Sequence, residues 1–259
     1  MMNMKEAKNK LIVALDVDSA GQALELFELL RDDVGMFKIG MQLFTAAGPD
    51  VVRKIIARGS RVFLDLKYHD IPNTVAKAGV EATRLGVSLF NIHASGGRDM
   101  MKKTADAVSE VAQRENLARP KVLAVTVLTS VDANTLKEIG IDEEPRSMVT
   151  RLASIAAECG LDGVVASAQE AKAIREKVSR PDFVIVTPGI RSATSPSDDQ
   201  RRTMTIADAV AAGADYVVVG RPILSASDPA AAAQRFVQEI ENADLDTQLQ
   251  HHVAYNSID

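Results

Sequence analysis

The feature that most constrains the fold of this chain is a repetition. Short apolar runs, each closed by polar residues and followed by a segment with helical spacing, recur eight times along 259 residues. The first is Leu11-Ile12-Val13-Ala14-Leu15, closed by Asp16-Val17-Asp18-Ser19. A continuous apolar run of that length is the pattern of a parallel strand buried on both faces. Ser19 stands at an N-cap position for a helix over 20–31, whose Ala23, Leu24, Phe27 and Leu30 share a face. Further runs cover 36–40, 61–64, 87–93, 121–128, 163–166, 183–186 and 216–219. Between and after them, helices are predicted over 49–57, 75–85, 99–114, 147–158, 169–177, 205–212 and 229–240, with a short extra one over 133–138. No composition break separates the units, so the prediction is α/β: a single (β/α)8 TIM barrel over 1–241. The tail over 242–259 shows no clear period and is expected to be poorly ordered or draped on the surface. The rival fold, a doubly wound open sheet, usually has fewer strands and often a Gly-rich phosphate turn after the first. Here Asp16-Val17-Asp18-Ser19 occupies that place.

Several function classes fall away on composition. A net charge of −5 gives no electrostatic case for nucleic acid as a partner. No apolar run approaches the ~18 residues of a membrane span, and the polar start over 1–10 lacks a signal-peptide core. Cys159 is the single cysteine, so no internal disulfide framework forms. Its setting, Ala-Ala-Glu-Cys-Gly near a helix end, suits a small buried hydrophobe better than a nucleophile, and the expected compartment is the reducing cytoplasm.

In a barrel of this kind the C-terminal strand ends converge on one face. Those ends carry Asp16, Lys38, Asp65, Lys67, Asp70, His93, Thr129, Ser130, Ser167, Pro188, Arg191 and Arg221. Charges abutting apolar strands are costly to bury unless paired, and alternating signs offer the pairing. Asp16 and Lys38 come from neighbouring strands. The stretch Asp65-Leu66-Lys67-Tyr68-His69-Asp70-Ile71-Pro72-Asn73-Thr74 follows the third strand. Strand alternation puts Asp65 and Lys67 on one face, Asp70 arrives as the strand ends before Pro72, and the expected result is a lysine held between two carboxylates. Two anions favour the ammonium form of Lys67, a poor nucleophile but a good proton donor. The alternative is a structural ion pair at a strand end. Three aspartates and His93 could ligate a metal, but Lys38 and Lys67 already hold the place and sign of a cation, so no metal is expected. His93 reads as a supporting residue rather than a base.

A second cluster sits at strands seven and eight. Backbone amides near Gly189 and Gly220, with Arg191 or Arg221, form the kind of phosphate cradle that barrels place there. The long polar segment 192–202 suggests a lid, with Gln200 its neutral candidate for touching a ligand. The residues therefore describe a barrel enzyme for a phosphorylated small molecule, and spacing alone does not name the reaction.

The motifs resemble the orotidine 5′-phosphate decarboxylase family. The stretch from Asp65 to Thr74 matches that family's Asp-x-Lys-x-x-Asp-Ile-Pro-x-Thr signature. The match extends to Leu15-Asp16, Phe37-Lys38-Ile39-Gly40, Leu128-Thr129-Ser130, Thr187-Pro188-Gly189-Ile190-Arg191, Asp199-Gln200-Arg201-Arg202 and Val219-Gly220-Arg221-Pro222, in the expected order. The resemblance implies conversion of orotidine 5′-phosphate to uridine 5′-phosphate, the last step of de novo pyrimidine synthesis, with no cofactor and no metal. It implies that Lys67 protonates C6, that Asp65 faces the departing carboxylate, that Asp16 and Lys38 hold ribose hydroxyls, and that Lys38 and Asp70 belong with Lys67 and Asp65 to the catalytic set. Thr129 and Ser130 would contact ribose or base; Arg191, Gln200, Gly220 and Arg221, beside Pro188, would bind the phosphate. It further implies a homodimer in which Asp70, Ile71 and Thr74 enter the partner's site. Three other readings remain open on the sequence: a Mg2+-dependent sister activity sharing Asp-x-Lys-x-x-Asp (a hexulose-phosphate synthase or keto-gulonate-phosphate decarboxylase), a Schiff-base aldolase using Lys67, and a non-catalytic nucleotide-binding barrel.

Overall fold

A computed structural model describes residues 3–190 and 204–256, with side chains through 245. The elements run α1 (Met4–Lys10), β1 (Leu11–Ala14), α2 (Ala20–Leu30), β2 (Met36–Gly40), α3 (Met41–Ala47), α4 (Asp50–Ala57), β3 (Val62–Tyr68), α5 (Pro72–Arg84) and β4 (Leu89–His93). They continue through a 3-10 turn (Ala94–Gly96), α6 (Gly97–Arg114), β5 (Lys121–Val125), α7 (Ala133–Glu138), α8 (Pro145–Glu158), β6 (Gly163–Val165) and α9 (Ala168–Lys177). Last come β7 (Val184–Thr187), α10 (Ile206–Ala211), β8 (Tyr216–Val219), α11 (Arg221–Leu224) and α12 (Pro229–Asn256).

All eight strands pair in parallel in chain order, and β8 returns to β1 through Leu11 opposite Val217, closing the barrel. Closure gives each strand two buried faces, which is why the strands read as continuous apolar runs. The faces serve two cores. Inward, Ile12, Ala14, Met36, Phe63, Leu89, Leu123, Val184, Val186 and Val218 fill the lumen as a plug. Outward, Leu11, Val13, Phe37, Ile39, Val62, Leu64 and Phe90 pack with the apolar stripes of the helices, such as Ala23, Phe27 and Leu30 of α2. Ser19 caps α2 by accepting from Gln22 N at 3.3 Å.

Three of the described helices are not among those predicted. Asn3 and Glu6 form a capping box that starts α1. α3 follows β2 directly from Gly40, and α11 is a single turn after β8. The terminal helix does not stop near Ile240: α12 continues to Asn256, so the region beyond 242 begins as helix rather than as irregular chain. Ala243 is buried and Lys10 pairs with Asp244 at 3.6 Å, giving that extension a hold on α1. Among the described residues no helix is long and apolar enough to cross a membrane.

Candidate functional site

The site is built on the lumen face of β1 to β4, immediately above the apolar plug. Ala14, Met36, Phe63 and Leu89 belong to the plug, and two residues further along each chain stand Asp16, Lys38, Asp65 and Asn91. The two-residue period of a strand keeps each pair on the same side. Lys38 Nζ lies 3.0 Å from Asp16 Oδ1 and 3.2 Å from Asp65 Oδ2. Lys67 Nζ lies 2.6 Å from Asp65 Oδ1. Asn91 Nδ2 donates to that same oxygen at 2.7 Å, while Asn91 Oδ1 accepts from Lys67 N at 2.8 Å. Lys38 and Asp65 are each 8% exposed, and Asn91 is fully buried.

Burial is the largest influence on both central charges, and in both it is outweighed. It would drive Lys38 toward the neutral amine, but the Asp65 and Asp16 carboxylates leave its pKa above the ordinary lysine value. It would push Asp65 up, but the Lys38 and Lys67 charges and the hydrogen bonds from Lys67 and Asn91 hold its carboxyl below the usual aspartate range. Asp65 is therefore a fixed anion with three donors on two oxygens.

This arrangement corrects one expectation. Within a single chain Lys67 is not held between Asp65 and Asp70; instead Asp65 is held between two lysines. β3 departs from regular strand geometry at Lys67, whose φ of +50° is left-handed, at a cost of roughly 1–2 kcal/mol for a non-glycine residue. Pairing with β4 runs Phe63 to Leu89 and Leu64 to Phe90, then resumes only at Tyr68 opposite Ile92. The chain has turned before Asp70, whose Oδ1 accepts from Ile71 N at 2.6 Å, beside the first turn of α5. Asp70, Ile71 and Thr74 are all exposed on the chain, Ile71 at 67%.

The other mouth residues are placed as follows. Thr129 and Ser130 form the turn after β5, Thr129 half-buried and Ser130 exposed. Ser167 caps α9 by accepting from Gln169 N at 3.3 Å. Pro188 is half-buried after β7, and Gly189 takes φ +80°, where glycine is favoured. Gly220 starts α11 beside β1: a side chain there would begin 3.6 Å from Ala14 Cβ and 3.9 Å from Asp16 Oδ2. Arg221 is exposed at the first position of that helix. Arg191, Gln200 and the expected lid over 192–202 lie outside the described residues. His93 is half-buried, with its ring 5.3 Å from that of His69. Burial first, then His69 and Lys67, lower its pKa against the opposing pull of Asp65. Among the described residues no three His, Cys, Asp or Glu side chains converge as metal ligands would.

Two residues of this site carry no candidate role in the sequence reading. Gly40 is one: a Cβ there would sit 3.1 Å from both Asp16 Oδ1 and Lys38 Nζ, inside the ion pair. Asn91 is the other. Its signal was a lone amide amid the apolar residues of Leu89-Phe90-Asn91-Ile92, on the same strand face as Leu89.

Comparison with known proteins gives a consistent picture. A model of the orotidine 5′-phosphate decarboxylase / HUMPS family matches residues 9–236. The chain is 54% identical over 238 residues to the orotidine 5′-phosphate decarboxylase of Syntrophotalea carbinolica, covering 92% of this chain and 97% of that one. It is likewise 54% identical over 239 residues to the enzyme of that name from Geotalea daltonii, covering 92% and 99%. Among solved structures, the crystal structure of orotidine 5′-phosphate decarboxylase from Lactobacillus acidophilus has a TM-score of 0.78 at 39% identity, covering 89% of this chain and 98% of that one.

Proposed function

The chain belongs to the orotidine 5′-phosphate decarboxylase family, the carboxy-lyases of pyrimidine synthesis, and from that premise we propose that Asp65 and Lys67 carry the decarboxylation of orotidine 5′-phosphate to uridine 5′-phosphate without cofactor or metal. The observation that supports this most is the buried Asp65 carboxylate shared by two lysines, with Lys67 Nζ 2.6 Å away at the open edge of the plug.

The chemical difficulty is the electron pair left on C6 when its bond to the carboxylate breaks. That pair lies in the plane of the ring, where the π-system cannot delocalise it. Enzymes with an electron-sink cofactor avoid the problem; here fixed charge must do the work. In the reading proposed, the C6–carboxylate bond breaks, carbon dioxide leaves, and the pair remains on C6 facing the Lys67 ammonium. Lys67 then gives one proton to C6 and regains one from solvent. Because Asp65 already holds Lys67 in place, little reorganisation accompanies charge development. The substrate carboxylate would sit against Asp65. Two unit charges at ~4 Å interact by about 4 kcal/mol at an effective dielectric near 20, so their separation on loss of carbon dioxide contributes a part of the barrier reduction and not the whole.

Asp16 and Lys38 hold the ribose hydroxyls, and Thr129 and Ser130 contact ribose or base. Pro188, Arg191, Gln200, Gly220 and Arg221 form the phosphate end, whose binding energy is available to orient the distant reacting carbon. The working unit is a cytoplasmic homodimer in which Asp70, Ile71 and Thr74 enter the partner's site. Their exposure on the single chain supports that reading: an isoleucine that is 67% exposed beside an active-site mouth gains by being covered. The test is turnover of orotidine 5′-phosphate by purified protein in excess EDTA. Full activity is expected; activity lost with the chelator and restored by Mg2+ would refute the metal-free mechanism.

A further inference from the structure

Among the described residues, one buried polar side chain touches both Asp65 and Lys67 yet has no part in the mechanism. Asn91 is fully buried on β4, yet it touches both members of the reacting pair, through Nδ2 to Asp65 Oδ1 at 2.7 Å and through Oδ1 from Lys67 N at 2.8 Å. Its setting explains why an amide is needed. Between the pairings Leu64–Phe90 and Tyr68–Ile92, three residues of β3 (Asp65, Leu66, Lys67) stand opposite the single residue Asn91. Such a bulge interrupts the ladder and leaves backbone groups without their strand partner. The Asn91 side chain takes over that partnership for Lys67 N–H, and its other end fixes the Asp65 carboxylate. Lys67 and Asn116 are the two non-glycine residues at positive φ among those described, and the Lys67 backbone is the one tied by this side chain.

We propose that Asn91 is a positioning residue for the decarboxylation: its carboxamide holds the β3 bulge that presents the Lys67 ammonium and the Asp65 carboxylate to the reacting carbon. The inference rests on the role given to Lys67 above. The chemistry demands a group that donates at one end and accepts at the other. Aspartate offers no donor to Asp65 when ionised, leucine offers neither function, and serine is too short to span both contacts. Asn91 does not itself meet substrate; it acts through the two side chains that do.

The test compares wild type, Asn91→Ala, Asn91→Asp and Lys67→Ala, measuring kcat for orotidine 5′-phosphate, Kd for uridine 5′-phosphate, and the pH profile. Displacement of catalytic groups by about an ångström costs on the order of 100-fold, so Asn91→Ala is expected to lower kcat by about that factor. Uridine 5′-phosphate should still bind within about three-fold, because ribose and phosphate are gripped elsewhere; that converts to a shift of less than about 0.7 kcal/mol. Asn91→Asp is nearly isosteric and serves should the alanine variant fail to fold. It sets a carboxylate against Asp65, so the acid limb of its kcat/KM profile should move to higher pH. Unchanged kcat in both folded variants, beside an inactive Lys67→Ala, overturns the Asn91 inference alone. So do kcat and nucleotide affinity that fall in proportion at every pH, which would mean a structural role only. Full turnover by Lys67→Ala overturns both this inference and the reading on which it rests.

Discussion

Replacing Lys38 by methionine tests the charge array where its energetics are largest. Lys38 is 8% exposed and its Nζ lies 3.2 Å from Asp65 Oδ2. At an effective dielectric near 20 that separation corresponds to about 5 kcal/mol of attraction. Removing the lysine also removes its own desolvation cost, so the net loss falls in the range of about 3–5 kcal/mol seen when a buried pair loses one partner. The Asp16 contact adds little, because that side chain is 52% exposed and screened by water. The pH dependence carries the sharper signature. A carboxyl whose pKa is depressed in the folded protein contributes stability above its unfolded value, and loses it as pH falls through the folded one. Asp65 is such a group. Without Lys38 the depression shrinks, so the variant forfeits that contribution at neutral pH and forfeits less as its carboxyl becomes protonated. Urea unfolding at pH 7 should show the full penalty as a lower midpoint at unchanged slope. The gap to wild type should narrow as pH approaches the ordinary aspartate value of about 3.9. A pH 7 loss below about 1 kcal/mol, or a penalty that stays constant on acidification, would refute this reasoning.

Two further perturbations address the two ends of the ligand and the assembly. Arg221→Ala is expected to weaken uridine 5′-phosphate by ~10- to 100-fold, the worth of one charge-assisted hydrogen bond, while uridine binding barely changes; equal losses by titration would remove Arg221 from the phosphate site. Mixing inactive Lys67→Ala and Asp70→Ala subunits is expected to restore activity, because one site of the heterodimer then carries neither substitution. No recovery after demonstrated subunit exchange would place Asp70 in its own chain's site.

Much of this architecture was legible in the residues. Apolar runs such as Tyr216-Val217-Val218-Val219 announce buried parallel strands because closure leaves neither face to water, and β8 has those bounds. The Asp16–Lys38 pair was readable too, since strands adjacent in sequence are adjacent in the barrel. What escaped depended on geometry that no period encodes. Strand alternation placed Asp65 beside Lys67, but the contact is made across a bulge with Lys67 at positive φ, and the same turn carries Asp70 away. Asn91 became visible only once β4 was registered against β3, because an amide in an apolar strand does not announce its partners. The cost of a side chain at Gly40 likewise comes from Lys38 on its own strand and Asp16 just past the end of the neighbouring one. Helix α1 had a readable signal, Asn3 followed by Glu6, that polar composition hid. The continuation of α12 past Ile240 rests in part on Ala243 and Asp244 meeting the body of the protein, a tertiary effect on a segment with no clear period.

The central claim is that Lys67, held by Asp65, is the proton donor in the reaction. The most direct measurement is the loss of ultraviolet absorbance on mixing orotidine 5′-phosphate with wild type and with Lys67→Ala, alongside titration of each with uridine 5′-phosphate. The account predicts that the substitution abolishes turnover while nucleotide binding largely survives. Turnover retained by Lys67→Ala at a rate near that of wild type would contradict it.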